Sequence, residues 1–412
     1  MPPLLPPDET ARYADAAIRV GLHLRKGDDL VVNCQPAHRE FAAAVIEAAY
    51  RAGARTAEVV MTDPLVRAAR LRAAPTERLG ELTPWQSARA RGAVKETTCS
   101  LLITGESEPG ALAGIPPEKV ATEMTSALRK LADVRRETRR GRRRWGIVAW
   151  PAPAWAAQVY PKLSERAAQR RLAHDLFSFC RLGPNDPPGV QGLRDHLSAI
   201  RGRARRLTRL RVRVLELRGP GTELSFSLHP ETIWAGGGGK NGFGIAQAPN
   251  LPTEECFTSP EASATEGTFR CSRPLMFQGR LIEGLAGEFR GGRLVRLKAN
   301  RTGDRDWLAD YLASVEGAER LGEVALVDSS SRIGQAGRIY YNTLLDENAA
   351  AHIAFGVGFW FTRGQNGTRA RRGVNHSRIH LDVMIGTDEL EVTGIGARGR
   401  RIPLIRDGAW AI

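Results

Sequence analysis

A histidine and a carboxylate two residues apart are the first sign of chemistry in this chain. In Arg378-Ile379-His380-Leu381-Asp382-Val383-Met384-Ile385 the apolar Ile379, Leu381, Val383 and Ile385 alternate with the other four. A strand has a period of two, so His380 and Asp382 project from one face while the apolar set turns to a core. One nitrogen and one oxygen donor on a rigid strand suit a first-row metal ion. Taken alone, the same pair also fits a surface ion pair.

Three further segments carry groups of the same kind. Glu254 and Glu255 are adjacent in Pro249–Thr258; in an extended chain they point to opposite sides, so only one is expected to reach any site. Glu323 lies between Gly322 and the apolar Val324-Ala325-Leu326, where burying a carboxylate is costly without a partner. His352 follows Asn348 by one helical turn in an alanine-rich stretch, which predicts a helix packed close to other backbone. A histidine in such a place also fits a core residue with its hydrogen bonds satisfied.

The elements that must position these groups fall into two styles. The first half alternates strands and helices. Leu30–Cys34, Ala57–Met61, Ser100–Thr104 and Trp145–Trp150 read as strands, and helices follow over 38–53, 64–79, 116–136 and 155–179. This alternation predicts an α/β domain with an open, mostly parallel sheet over residues 1–194. The segment after its first strand, Gln35-Pro36-Ala37-His38, is not a glycine-rich phosphate loop, and the lone His23 and His38 read as structural. After the turn-rich break at Gly183–Gly189 the texture changes. Arg211–Arg218 and Thr222–His229 alternate as strands, Gly291-Gly292 marks a hairpin turn, and a single helix is expected near Asp306–Leu321. Residues 195–412 therefore read as an α+β domain, and it is this domain that holds the histidines and carboxylates described above.

Composition narrows the field. The chain has 412 residues, 42% hydrophobic and 25% charged, which excludes a disordered or collagen-like protein. No stretch approaches the roughly 18–20 apolar residues of a membrane span, and the proline-rich start lacks the form of a signal peptide. Five cysteines without CxxC spacing fit free thiols in a reducing compartment, so a cytoplasmic protein is expected. The net charge of +15 is carried mostly by arginine, in runs at Arg135–Arg144 and Arg201–Arg213. Neither run has interleaved aromatics or a nucleic-acid motif, so both read as solvated basic faces with no specific nucleic-acid partner.

Taken in order, NLPTEECFTSP, EGTFRCSRPL, LGEVALVDSSS, YYNTLLDENAAAHIAFG and NHSRIHLDVMIG resemble the aminopeptidase T and aminopeptidase S family of dinuclear metallo-aminopeptidases. The resemblance extends over the whole chain. It implies two divalent ions (zinc, cobalt or manganese) on Glu255, Glu323, His352, His380 and Asp382, with Glu323 bridging. It also implies Glu254 as a supporting group or proton shuttle, short peptides as substrates, and a homodimer. One position departs from the family pattern: a tyrosine ordinarily follows the histidine at 352 by seven residues, and here the residue is Phe359. Losing one oxyanion donor costs on the order of 100–1000-fold in other enzymes.

The resemblance leaves other chemistries on the same scaffold. Iron-dependent, ring-opening dioxygenases are similar to this family and would use His352, His380 and Asp382 for one iron. Hydrolysis of a small amide metabolite and a non-catalytic binding role are the remaining readings.

Overall fold

The computed structural model describes residues 2–116, 118–120, 122–123, 130–278, 280–364 and 372–412. The chain forms two compact units, Met1–Asp195 with Gly238–Pro252, and His196–Gly237 with Thr253–Ile412. The return of 238–252 to the first unit is absent from a single division at residue 195. It has a simple cause: Asn250-Leu251 pairs in parallel with Arg144–Ala149 and extends the first unit's sheet.

That sheet has five parallel strands in the order Thr56–Met61, Asp29–Cys34, Thr98–Thr104, Arg144–Ala149, Asn250–Leu251. It is the α/β architecture that the alternating sequence predicts. Phe41, from the helix Arg39–Arg51, stacks on Trp150 at 4.6 Å between ring centroids, with Tyr13 against both. Arg144 is fully buried because its guanidinium has partners, donating to Asp28 at 2.6 Å and to the His23 carbonyl at 2.8 Å. His38 is structural, with Nε2 2.8 Å from the Gly105 carbonyl and burial pulling its pKa down to about 4. The helical stretch expected over 155–179 is two helices, Pro153–Val159 and Glu165–Phe179, with Pro161 between them. The helix expected over 116–136 lies partly outside the described residues (117, 121 and 124–129); within them, Ala132–Arg139 is helical.

Among the described residues the second unit contains three antiparallel sheets, the smallest a pair of strands, Leu275–Phe277 and Arg280–Ile282. Its largest sheet has eight strands, with Val214–Gly219 and Thr222–Ser227 at the centre and the predicted Gly291-Gly292 turn joining Ala286–Arg290 to Arg293–Lys298. The small four-stranded sheet has the order Cys256–Thr258, Leu321–Leu326, His352–Gly356, His380–Met384; its last three strands follow one another along the chain, whereas strands of other sheets intervene between the first and the second. One face of this small sheet, with Val324, Leu326, Ile353, Phe355, Leu381 and Val383, enters the same core as Leu215, Leu217, Phe226, Phe269 and Phe289. Phe355 lies 5.9 Å from Phe269 and 5.7 Å from Phe289, ring to ring. Fully burying one such side chain contributes about 1.5–3 kcal/mol, so the strand faces, and hence the register, are strongly specified.

Two local expectations are corrected here. The helix near Asp306–Leu321 runs instead over Thr302–Ser314, and Leu321 begins a strand. His352 is not helical: it opens the strand His352–Gly356, because Ile353 and Phe355 must both face the core. Only the short helix Thr343–Asp346 precedes it.

Candidate metal centre

The opposite face of the small sheet carries the polar groups. Glu323 pairs with Ala354, and Ala354 with Asp382; Ala325 pairs with His352, and Gly356 with His380. Directly paired residues share a face, so Glu323, His352, His380 and Asp382 project together, separated by Ala325, Ala354 and Gly356. Small residues between the donors leave room above the sheet. Glu255, just before the first strand, has the same parity as Phe257, which pairs with Ala325, and so reaches the same face. The second strand is bulged between Leu321 and Glu323, a device that re-aims a side chain. Gly322 sits in that bulge because a Cβ there would collide with the Val357 carbonyl.

Five of the six expected site residues thus converge. Glu255, Glu323 and His352 place donor atoms within 4.8 Å of one another, and so do Glu323, His380 and Asp382. Glu323 belongs to both groups. The closest approaches are His352 Nε2 to Glu255 at 3.2 Å, His380 Nε2 to Glu323 at 3.0 Å, and His380 Nε2 to Asp382 at 3.2 Å. Each imidazole is oriented from behind: His352 Nδ1 lies 3.2 Å from the Ala350 carbonyl and His380 Nδ1 lies 3.1 Å from the Val357 carbonyl. A carbonyl only accepts, so Nδ1 carries a proton in both rings and Nε2 is the atom offered to the centre.

The sixth residue, Glu254, belongs to neither donor group. Its carboxylate lies 3.2 Å from His196 Nε2 on the helix Gln191–Arg209, and His196 Nε2 is also 2.9 Å from the Thr253 carbonyl. Its backbone N–H donates to Asn348 Oδ1 at 2.7 Å. Asn348 is fully buried; its amide donates to the Leu344 carbonyl at 2.8 Å, and its own carbonyl accepts from Ser331 at 2.7 Å.

Sequence reasoning overlooked Glu347, His196 and the anchoring role of Asn348. Glu347 is buried and lies in the field of Asp382, Glu255, His352 and Glu323. Its position five residues before His352 gave no strand or helix signal, since it lies in the turn between the two elements.

The electrostatics are those of a site short of positive charge. Burial lifts Glu323 to about 7 against the opposing pull of His380, and the carboxylates of Glu255 and Asp382 add to the rise. Burial, together with Asp382 and Glu255, pushes Glu347 well above the ordinary range. Burial works against a charged His352, yet Glu255, Asp382 and Glu323 outweigh it and raise the ring to about 10. His380 is likewise held well above its ordinary value against burial, by Asp382 and Glu323. Asp382 is lowered, because His380 and His352 overcome its burial. Without cations, protons supply the missing charge. Four carboxylates (Glu255, Glu323, Glu347 and Asp382) match the charge of two divalent ions once both imidazoles are neutral, so the donor set fits a pair of cations.

Phe359 follows on the loop after the third strand, with its ring centroid 5.3 Å from that of His380 and its backbone N–H donating to Ser259 at 2.7 Å.

The clustered carboxylates and imidazoles of the second unit are groups that could hold metal ions, and comparison gives the class. The model of the thermophilic metalloprotease (M29) family matches residues 7–410, and the chain belongs to that family. Aminopeptidase T of Thermus thermophilus is 36% identical over 97% of this chain and 98% of its own length. Aminopeptidase AmpS of Bacillus subtilis is 32% identical, with 97% of each chain covered. The solved structure of wild-type AmpT from Thermus thermophilus superposes with a TM-score of 0.88 at 35% identity, covering 98% of this chain and 99% of that one. A 2,5-dihydroxypyridine dioxygenase from Pseudomonas putida shares the fold, with a TM-score of 0.51 at 12% identity over 98% and 96% of the two chains. Among the described residues no helix is long and apolar enough to cross a membrane.

Proposed function

We propose that the protein is a metal-dependent aminopeptidase that removes N-terminal residues from short peptides. The observation that carries this reading is the pair of donor triads joined through Glu323. Glu255 and His352 would hold one divalent ion, His380 and Asp382 the other, and Glu323 both; Glu347 is a further carboxylate within their field. Zinc, cobalt and manganese all suit this borderline-to-hard set. Bound there, such ions lower the pKa of a water and polarise the scissile carbonyl. The chain's own residues do the rest. The Ala350 and Val357 carbonyls fix the two imidazoles, so the donors need no rearrangement. Glu254, steadied by His196, is the candidate to carry a proton from water to the leaving amine.

The iron-dioxygenase reading requires His352, His380 and Asp382 in one group. In the structure His352 stands in one triad and His380 with Asp382 in the other, which favours two ions. The proposal extends to a homodimer in the cytoplasm, checked by light scattering and by cell fractionation. The direct test is turnover of aminoacyl anilides and dipeptides by protein loaded with zinc, cobalt or manganese, with metal analysis alongside. Two ions per chain and amine release are expected. A fully loaded protein that turns over none of these substrates refutes the assignment.

A further inference from the structure

Three phenyl rings adjoin the centre without contributing a donor. Phe257 projects on the donor face from the first strand of the small sheet, in register with Ala325. Its ring centroid lies 5.3 Å from that of Phe359 and 6.3 Å from that of Phe361, and the last two are 5.4 Å apart. Phe359 in turn leans on His380 at 5.3 Å. The cluster is therefore continuous with a proposed metal ligand. It is also partly open: Phe361 is 46% exposed, although its neighbours Thr362 and Arg363 are buried.

The shelf is held stiffly. The Phe359 N–H donates to Ser259 at 2.7 Å, Thr362 Oγ1 donates to the Phe359 carbonyl at 2.7 Å, and the Ile233 N–H donates to the Thr362 carbonyl at 2.6 Å. Arg363 is buried against Glu261. An exposed phenyl whose neighbours Phe359, Thr362 and Arg363 are each anchored is a preorganised apolar surface rather than a loose loop tip.

We propose that Phe257, Phe359 and Phe361 receive the side chain of the substrate's N-terminal residue and make the enzyme selective for bulky apolar residues there. The inference rests on the aminopeptidase reading. In an N-terminal residue the side chain is one carbon away from the carbonyl under attack. A carbonyl held at the His380 end of the centre therefore brings its side chain within reach of rings that lean on His380. The rings then take the apolar side chain. With phenylalanine at 257, 359 and 361 these rings carry no polar atom.

The test uses the full metal-loaded chain and two readouts. The first is kcat/KM on leucyl, phenylalanyl, alanyl and lysyl anilides for wild type and for Phe361→Ser, a change at an exposed position that the fold tolerates. Wild type is expected to prefer leucyl and phenylalanyl over alanyl and lysyl substrates by about tenfold or more, the usual return on burying several methylenes. Phe361→Ser should lower the leucyl and phenylalanyl values by about tenfold and leave the alanyl value within about twofold. The second is calorimetric binding of the free products L-phenylalanine and L-alanine, which needs no turnover. Indifference of both readouts to side chain and to Phe361→Ser overturns the shelf and leaves the peptidase reading standing. Preferential binding of phenylalanine, lost in the variant, by a protein that cleaves none of the anilides supports the shelf and overturns the peptidase reading.

Discussion

Glu323→Gln should make the metal-free protein more stable while destroying its response to metal. Glu323 is 4% exposed and is the carboxylate common to both donor groups. Its pKa rises from 4.5 in the unfolded chain to about 7 in the fold. The sign follows directly: a raised carboxylate pKa means that ionisation favours the unfolded chain, so folding stability falls as pH climbs from 4.5 through 7. Glutamine stays neutral and escapes that cost. At 1.36 kcal/mol per unit, the shift is worth about 3 kcal/mol at pH 8 and below about 1 kcal/mol at pH 5. For a unit of this size that corresponds to a melting temperature higher by roughly 6–12 °C at pH 8. With metal the order should reverse. Two cations, each at about a hundred times its Kd, stabilise the wild type by about 5 kcal/mol together, which exceeds the deficit of about 3 kcal/mol, and the variant, lacking the shared carboxylate, should gain little. The assay is thermal unfolding of both proteins in chelator and in zinc, at pH 5 and pH 8. A variant no more stable than wild type in chelator at pH 8, or one that responds to zinc as the wild type does, refutes the placement of Glu323.

Three further outcomes are expected. His352, raised to about 10, is protonated at pH 8 in the metal-free protein, and a cation on Nε2 must expel that proton. Calorimetric metal titrations in buffers of different ionisation enthalpy should therefore show more than one proton released per chain; no release contradicts ligation by the imidazoles. The same shift, upward from 6.5, gives stability that is complete below that value and is lost as pH rises through about 10, so the metal-free protein should melt earlier across that window. Phe359→Tyr should raise kcat by about tenfold or more if a hydroxyl beside His380 restores an oxyanion donor, and an unchanged kcat means the loop does not present it there. Gly322→Ala should cost about 1–3 kcal/mol through overpacking against the Val357 carbonyl and should lower metal content, read by unfolding and metal analysis.

Much of this arrangement was legible because a strand converts sequence parity into geometry. His380 and Asp382 declared a shared face by period alone, and of the adjacent Glu254 and Glu255 only Glu255 belongs to a donor group. The strands of the first unit were equally plain, each an apolar run between helices. What parity could not carry was long-range pairing. Nothing local says that Ala325 lies opposite His352, or that Asn250-Leu251 returns to pair with Arg144–Ala149. His352 itself misled: the alanines before it favour a helix, but the demand that Ile353 and Phe355 enter the core overrides that propensity. Glu347, Asn348 and His196 were invisible for the same reason, since their roles come from residues distant in sequence.

A protein with a net charge of +15 holds a centre built to attract cations, and distance resolves the conflict. Within the centre, opposite charges sit 3.0–3.2 Å apart in a buried setting. Surface charges act through salt solution, where screening sets in over about 8–10 Å. The two basic runs are moreover committed locally. Arg136, Arg140 and Arg142 gather around Glu137 at 3.7, 2.9 and 3.4 Å, and Arg144 is buried on Asp28. In the second run Arg201 donates to the Gly237 carbonyl at 2.7 Å and Arg203 lies 4.8 Å from the Trp410 ring. These arginines thus serve local packing, while the sign of the field within the centre is set by the carboxylates on one face of a four-stranded sheet.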